Sequence, residues 1–350
     1  MKKKLLIALL LLFSTFLSNA QSNLELADKY LKERGELVFT FTANNIQEAQ
    51  ELNRILSFDR GQGSENPLKI SAVANKKSFK KFLTYNLPFE VNIETNEPKD
   101  VVMFDPKIHR KGISGKNAAY PLTFPLAAYP TYQQYADQMA AFAADHSDIA
   151  QLIDIGGTVQ GAGGGNKRLL FIKLSDNVLT REAEPRVMYS SSMHGDEIAG
   201  FPMMLSLIDY LIKAYKDTGH ADHTRVKDLI DNTEVWINPL ANPDGTYYNN
   251  ASNTSVANAI RGNGNVIDLN RNYPEPEGAL HPDGEVYQLE TLNFMALAES
   301  THFVIAANFH GGTEVINYPW DFTYDRHPDD AWYFLISKEY AVNAQNDSPS

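Results

Sequence analysis

Cysteine is absent from the 350 residues. That absence excludes disulfides, a Cys-ligated zinc and a thiol nucleophile. It also removes the cysteine that a lipid anchor behind the N-terminal apolar run would need. Positive charge is scarce too: 31 Lys and Arg stand against 43 Asp and Glu, a formal net charge of −12, and no Lys/Arg-rich face stands out. A nucleic-acid partner is therefore not expected. Long apolar runs are missing beyond the first twenty residues, so no later segment reads as membrane-spanning. The Gly-rich stretch Gly161 to Gly165 lacks the G-K-[ST] that a phosphate cradle requires.

What is present is a composition of 43% hydrophobic and 21% charged residues, enough for a sizeable core. The length allows one large domain or two. Lys2-Lys3-Lys4 is a basic start, Leu5 to Leu17 is mostly apolar, and Ser18-Asn19-Ala20 supplies small residues. Residues 1–20 read as an export signal cut after Ala20, with an uncleaved anchor as the alternative. A cysteine-free exported chain suits a periplasm or the cell exterior, with no membrane contact after cleavage.

Residues 21–100 read as a small α+β module in β-α-β-α-β order, from Leu37–Thr42 to Phe89–Ile93. It is either a docking module or a pro-segment that covers the active site of the next domain. Residues 101–128 mix Lys, Gly, Pro and Ser without periodicity and read as a linker. From 129 to 350 helices alternate with apolar strands. Thr131 caps a helix to about His146, and Ile198, Phe201, Leu205, Ile208, Leu211, Ile212 and Tyr215 repeat at helical spacing. Further helices are expected over Gln288–Glu299 and Ala331–Ala344. Leu169–Leu174, Arg186–Tyr189, Thr233–Asn238 and Phe303–Phe309 read as strands. The last is almost wholly apolar and reads as a central strand covered on both faces. The fold class is therefore α/β, a sheet flanked by helices, whose site should lie beyond the strand C-termini.

Two such positions carry histidine. Ser190-Ser191-Ser192-Met193-His194-Gly195-Asp196-Glu197 sits between a strand and a helix, so His194 and Glu197 can point at one ion. Catalytic Zn²⁺ commonly takes two His and one carboxylate, with a fourth position left for water. His310, delivered at the end of Phe303–Phe309, is the best third ligand. His220 and His281 read as ordinary surface histidines.

Four pieces in order, His194-Gly195-Asp196-Glu197, Asn242-Pro243-Asp244-Gly245, Asp268-Leu269-Asn270-Arg271-Asn272 and His310-Gly311-Gly312, resemble the zinc metallocarboxypeptidases, the superfamily of carboxypeptidases A and B. The resemblance runs from about Tyr129 to the chain end and implies a mixed sheet and one Zn²⁺ per chain. It makes His194, Glu197 and His310 the zinc ligands, and Asp268 the carboxylate that orients His194. Asn270 and Arg271 would bind the substrate's C-terminal carboxylate. Arg261, ten residues before Arg271, matches the carboxypeptidase N/E branch, where it polarises the scissile carbonyl. Tyr318-Pro319-Trp320-Asp321 also matches that branch, and Asp321 implies a preference for C-terminal Lys or Arg.

The resemblance places the general-base carboxylate past Ser350, so the chain is expected to be a piece of a longer protein, incomplete at the C-terminus of its catalytic domain. The implied function is zinc-dependent hydrolysis of the C-terminal peptide bond of peptides and proteins. The alternatives are a zinc amidase acting on cell-wall peptides and a non-catalytic zinc module that binds peptide ends.

Overall fold

The structure is a computed structural model that describes residues 22–59, 68–97, 121–159, 167–274, 284–312, 314–320 and 325–347. The export-signal residues 1–20, the Gly161–Gly165 stretch, Asp321 and most of the expected linker lie outside these.

The N-terminal module opens with α1 (residues 22–33). Its sheet holds β1 (Glu36–Thr42), β2 (Ser57–Asp59), β3 (Lys69–Asn75) and β4 (Phe89–Val91), in the order β2-β3-β1-β4 and wholly antiparallel. Between the strands lie α2 (Ile46–Asn53) and α3 (Lys76–Phe82), with the short α4 (Ile93–Asn96) after β4. Asn45 and Asn75 start α2 and α3 by accepting backbone N–H bonds on their side chains. Phe39 and Phe41 on β1 pack against Phe79, Phe82 and Phe89, so the module has its own aromatic core. The expected β-α-β-α-β order gains α1, β2 and α4. All three are short or lack a sustained apolar period, so pattern alone passes them over.

The main body is built on β5 (Ala150–Gly157), β6 (Arg168–Leu174), β7 (Arg186–Ser191), β8 (Glu234–Asn238) and β9 (Ile305–Phe309), in the order β5-β6-β8-β7-β9. β5, β6 and β8 pair antiparallel, whereas β7 runs parallel to both β8 and β9. The sheet is thus mixed. Alternation along β6 feeds two cores: Leu170, Ile172 and Leu174 face one, Leu169 and Phe171 the other. The first is closed by α5 (Tyr132–Asp145), α6 (Gly200–Lys216) and α7 (His223–Asp231), the second by α9 (Leu289–Thr301), which comes after the one-turn α8 (Pro243–Thr246). Thr131 and Gln134 form a capping box at the start of α5. No helix of the described residues is long and apolar enough to cross a membrane.

Two expectations change. Among the described residues β9 is the sheet's edge, paired with β7 alone, with Ala306 and Asn308 exposed. An apolar run identifies a strand but not its number of neighbours. At the end of the expected linker, Leu122, Phe124 and Leu126 are buried in the main core. Leu122 N–H donates to Gln138 Oε1.

Residues from Gly312 onward form a second compact unit. Within it α10 (Asp330–Asp347) has no buried residue. Tyr318 stacks on Tyr333, and Arg326 pairs with Asp330.

Candidate active site

Parallel pairing brings the two histidines together. Ser191 at the end of β7 lies opposite Phe309 at the end of β9, so the turn after β7 meets His310. That turn is held from below by the loop after β8. Asn242 Nδ2 donates to the carbonyls of Met193 and Gly262, and its Oδ1 accepts from Gly245 N–H. The Thr246 hydroxyl donates to Gly195 O. Gly195 packs so close that a Cβ there would sit 2.4 Å from the Gly245 carbonyl carbon. Asn242-Pro243-Asp244-Gly245 is therefore a support for the His194 turn, with Asp244 paired to the buried Lys167.

Three side chains converge at the strand ends. His194 Nδ1 lies 2.8 Å from Glu197 Oε1, and His310 Nδ1 lies 2.8 Å from Glu197 Oε2. The two ring nitrogens are 3.1 Å apart. Gly311 N–H donates to Glu197 Oε2, fixing the carboxylate. His194 Nε2 faces Asp268 Oδ1 at 3.1 Å, so the neutral ring keeps its proton on that side and turns a bare Nδ1 lone pair inward. Two imidazole nitrogens and a carboxylate with converging lone pairs fit a divalent cation. The spacings approach the ~3.3 Å ligand separation that tetrahedral zinc bonds of about 2.0–2.1 Å impose. His194, Glu197 and His310 form one of two groups among the described residues with metal-compatible spacing; the other is the carboxylate set Asp176, Glu182 and Glu184.

Charged neighbours surround this cluster. Arg261 donates through Nε to Asp268 Oδ2 and through Nη1 to Glu197 Oε1. Burial pushes the Glu197 carboxyl up, but in the metal-free site hydrogen bonds and charge from His194 and His310, when those rings are protonated, outweigh it and hold the group far below the usual range. Asp268 behaves alike: burial raises it, and Arg261 and His194 bring it well down. For His194 burial lowers the pKa and Asp268 more than reverses this. Both carboxylates are therefore ionised around the inward-facing nitrogens.

Asp268 also accepts from Asn270 N–H and starts a 3₁₀ turn, Leu269–Arg271. Asn270 is exposed. The Arg271 guanidinium donates to Asn270 O, Asn53 Oδ1 and Asn53 O. The structure thus brings His194, Glu197, His310, Arg261 and Asp268 into direct contact, and carries Asn270 and Arg271 on the turn after Asp268.

Sequence reasoning passes over the residues from the N-terminal module. The Ser57 hydroxyl donates to Asp268 Oδ2, Asn53 holds Arg271, and the buried Glu36 accepts from the backbone N–H groups of Arg261 and Gly262. The one signal was Glu36 itself, an acid opening an apolar strand. A second group passed over is Asn263, whose amide donates to Gln288 Oε1 and Glu290 Oε2 while its Oδ1 accepts from Asn265 and Ile267 N–H. It staples the loop between Arg261 and Asp268.

Comparison with known proteins identifies the family. A family model described as zinc carboxypeptidase matches residues 135–348, more than half of the chain. The chain belongs to the zinc carboxypeptidase family. Among curated relatives, mouse (Mus musculus) carboxypeptidase D is 34% identical over 207 residues, covering 57% of this chain and 14% of that protein. Mouse carboxypeptidase M is 34% identical over 208 residues, 56% of this chain and 42% of that one. The catalytic chain of rat (Rattus norvegicus) carboxypeptidase N is 32% identical over 225 residues, 55% of this chain and 47% of that one. The chain thus spans less than half the length of these relatives. Carboxypeptidase A from Helicoverpa armigera shares the fold, with a TM-score of 0.59 at 15% identity over 91% of this chain and 79% of that one. Thrombin activatable fibrinolysis inhibitor does so with a TM-score of 0.56 at 14% identity, over 90% and 82%. Zinc is the metal this family implies, and the donor set at His194, Glu197 and His310 is compatible with it.

Proposed function

We propose that this zinc carboxypeptidase family member hydrolyses the C-terminal peptide bond of peptides and proteins, using one zinc ion held by His194, Glu197 and His310. The observation that carries the reading is the convergence of two imidazole nitrogens and one carboxylate at adjacent strand ends. Zinc bound there supplies Lewis acidity, which activates water and polarises a carbonyl. Asp268 keeps the His194 proton on Nε2 and so keeps Nδ1 turned inward. Arg261 is anchored by Nε and Nη1, leaving Nη2 to face the charge that develops on the scissile carbonyl oxygen. Asn270 and Arg271 hold the terminal carboxylate, which restricts the enzyme to chain ends. A preference for C-terminal Lys or Arg rests on Asp321 and its sequence context. Export rests on residues 1–20.

The domain plan goes with this reading: a signal over 1–20, a pro-segment over 21–100, a linker over 101–128 and the catalytic domain over 129–350. The contacts of Asn53 and Ser57 with Arg271 and Asp268 favour a segment that lies over the substrate side of the site. Hydrolysis of hippuryl-Arg, hippuryl-Phe and peptidoglycan stem peptides tests the substrate class; turnover of the stem peptides alone would overturn it. Arg271→Ala should raise KM for C-terminal substrates by about tenfold or more while zinc content stays unchanged, since a lost charge-assisted contact is worth on the order of 1.5–3 kcal/mol. An unchanged KM would remove Arg271 from this role.

A further inference from the structure

A cavity of about 110 Å³ opens between the N-terminal module and the body. That is several times the ~30 Å³ that one water occupies in the liquid. Its walls carry Arg54, Lys77 and Lys81 from the module, and Arg261 and Arg271 from the body. Five cations around one small cavity stand out in a chain whose formal net charge is −12.

The carboxylates on the same walls do not balance them. Glu285 is taken by Lys77, and Asp268 by Arg261 and His194. Glu36 spends its two oxygens on the backbone N–H groups of Arg261 and Gly262. Of the other three cations, Arg54 and Lys81 are exposed and Arg271 is half-buried. Among the described residues the side chains of Arg54 and Lys81 have no acidic partner, and neither is otherwise hydrogen-bonded. Arg271 meets only neutral carbonyl oxygens, two from Asn53 and one from Asn270. The Asp268 charge reaches Arg271, but no carboxylate hydrogen-bonds its half-buried guanidinium, which keeps N–H donors for an anion.

We propose that this cavity binds a small oxyanion of two or more negative charges, phosphate or sulfate in type, between Arg54 and Lys81 of the module and Arg271 of the body. The anion would act as a clamp, tying the module to the turn that carries Arg271 and occupying the guanidinium that a substrate carboxylate needs. This role as a clamp rests on reading residues 21–100 as a segment lying over the site; binding of the anion does not.

The test is titration of the intact, chelator-treated chain with inorganic phosphate by calorimetry and thermal melting, against sodium chloride at equal ionic strength. Removing the metal prevents phosphate from reporting on the zinc site. Phosphate, and sulfate in a parallel arm, should raise the melting temperature above the chloride control. The double variant Arg54→Ala/Lys81→Ala should bind phosphate about tenfold or more weakly, having lost two charge-assisted contacts. The charge-keeping pair Arg54→Lys/Lys81→Arg should bind phosphate more tightly than the alanine pair, because both positive charges remain. No stabilisation beyond chloride would overturn the site. So would equal phosphate affinity in the alanine variant, which would mark adventitious binding elsewhere. If the alanine variant fails to fold, calorimetry on the parent still decides: a saturable heat with one phosphate per chain supports the site, and stabilisation that only grows with salt concentration overturns it. Failure here leaves the peptidase reading standing, since that reading is judged on hydrolysis and zinc content.

Discussion

Asp268 is the residue on which the site's internal geometry turns. It accepts from His194 Nε2 on one oxygen and from Arg261 Nε on the other, and it starts the turn that carries Asn270 and Arg271. Losing it frees the His194 ring to change tautomer and face. Asp268→Ala should weaken zinc binding about 10–100-fold, the range typical of a lost partner behind a metal-bound histidine. Competition against a chromophoric chelator measures this, and an affinity within about twofold of the parent would show that the ring is oriented by something else. His194, Glu197 and His310 were visible in the sequence because their spacing and their places after apolar runs carry chemical meaning. The contacts of Asn53 and Ser57 were not. They join residues about two hundred positions apart and depend on how a separate module docks, which no local pattern encodes.

At the scale of elements, the loop between Arg261 and Asp268 is the part most dependent on its surroundings. Val266 adopts a φ of +58°, a left-handed conformation that β-branched residues avoid, at a cost of order 1–3 kcal/mol. Asn263 braces the loop from the body, and the Asn75 side chain donates to Val266 O from the module. Behind Asn263 lies Glu290, fully buried at the start of α9, with its carboxyl pushed up to about 7 by burial. A raised folded-state pKa means that the native state holds its proton longer than the unfolded chain. Stability from this group is complete below about pH 4.5 and is lost as pH rises toward 7. The shift corresponds to roughly 3 kcal/mol. The stability of the parent relative to Glu290→Gln should therefore fall by up to that amount between about pH 4.5 and 7, then level off. Urea denaturation across that range measures it, and a flat difference would contradict the assignment. The strands that build the sheet were legible because apolar runs and alternation report burial directly. The edge position that β9 has among the described residues was not, since its Ala306-Ala307 core reads equally well as a covered or an open strand. The Asn263–Glu290 brace was hidden because an isolated Asn or Glu looks the same in sequence whether it is a surface group or a buried staple.

For the whole molecule, the proposed metal-binding arrangement exists only when the chain is folded. Two of its donors come from the turn after β7 and the third from the end of β9, more than a hundred residues later, brought together by parallel pairing. On the proposed ligand set, metal binding couples to folding of the body, and zinc should raise its stability by linkage. The most direct test is zinc stoichiometry by elemental analysis and calorimetry on the intact chain, for the parent and for His310→Ala. One tightly bound zinc per parent chain is expected, lost on unfolding, with affinity reduced by orders of magnitude in a His310→Ala protein that still folds. A His310→Ala protein that keeps its zinc as tightly as the parent, or a parent that binds none, would contradict the shared-ion site.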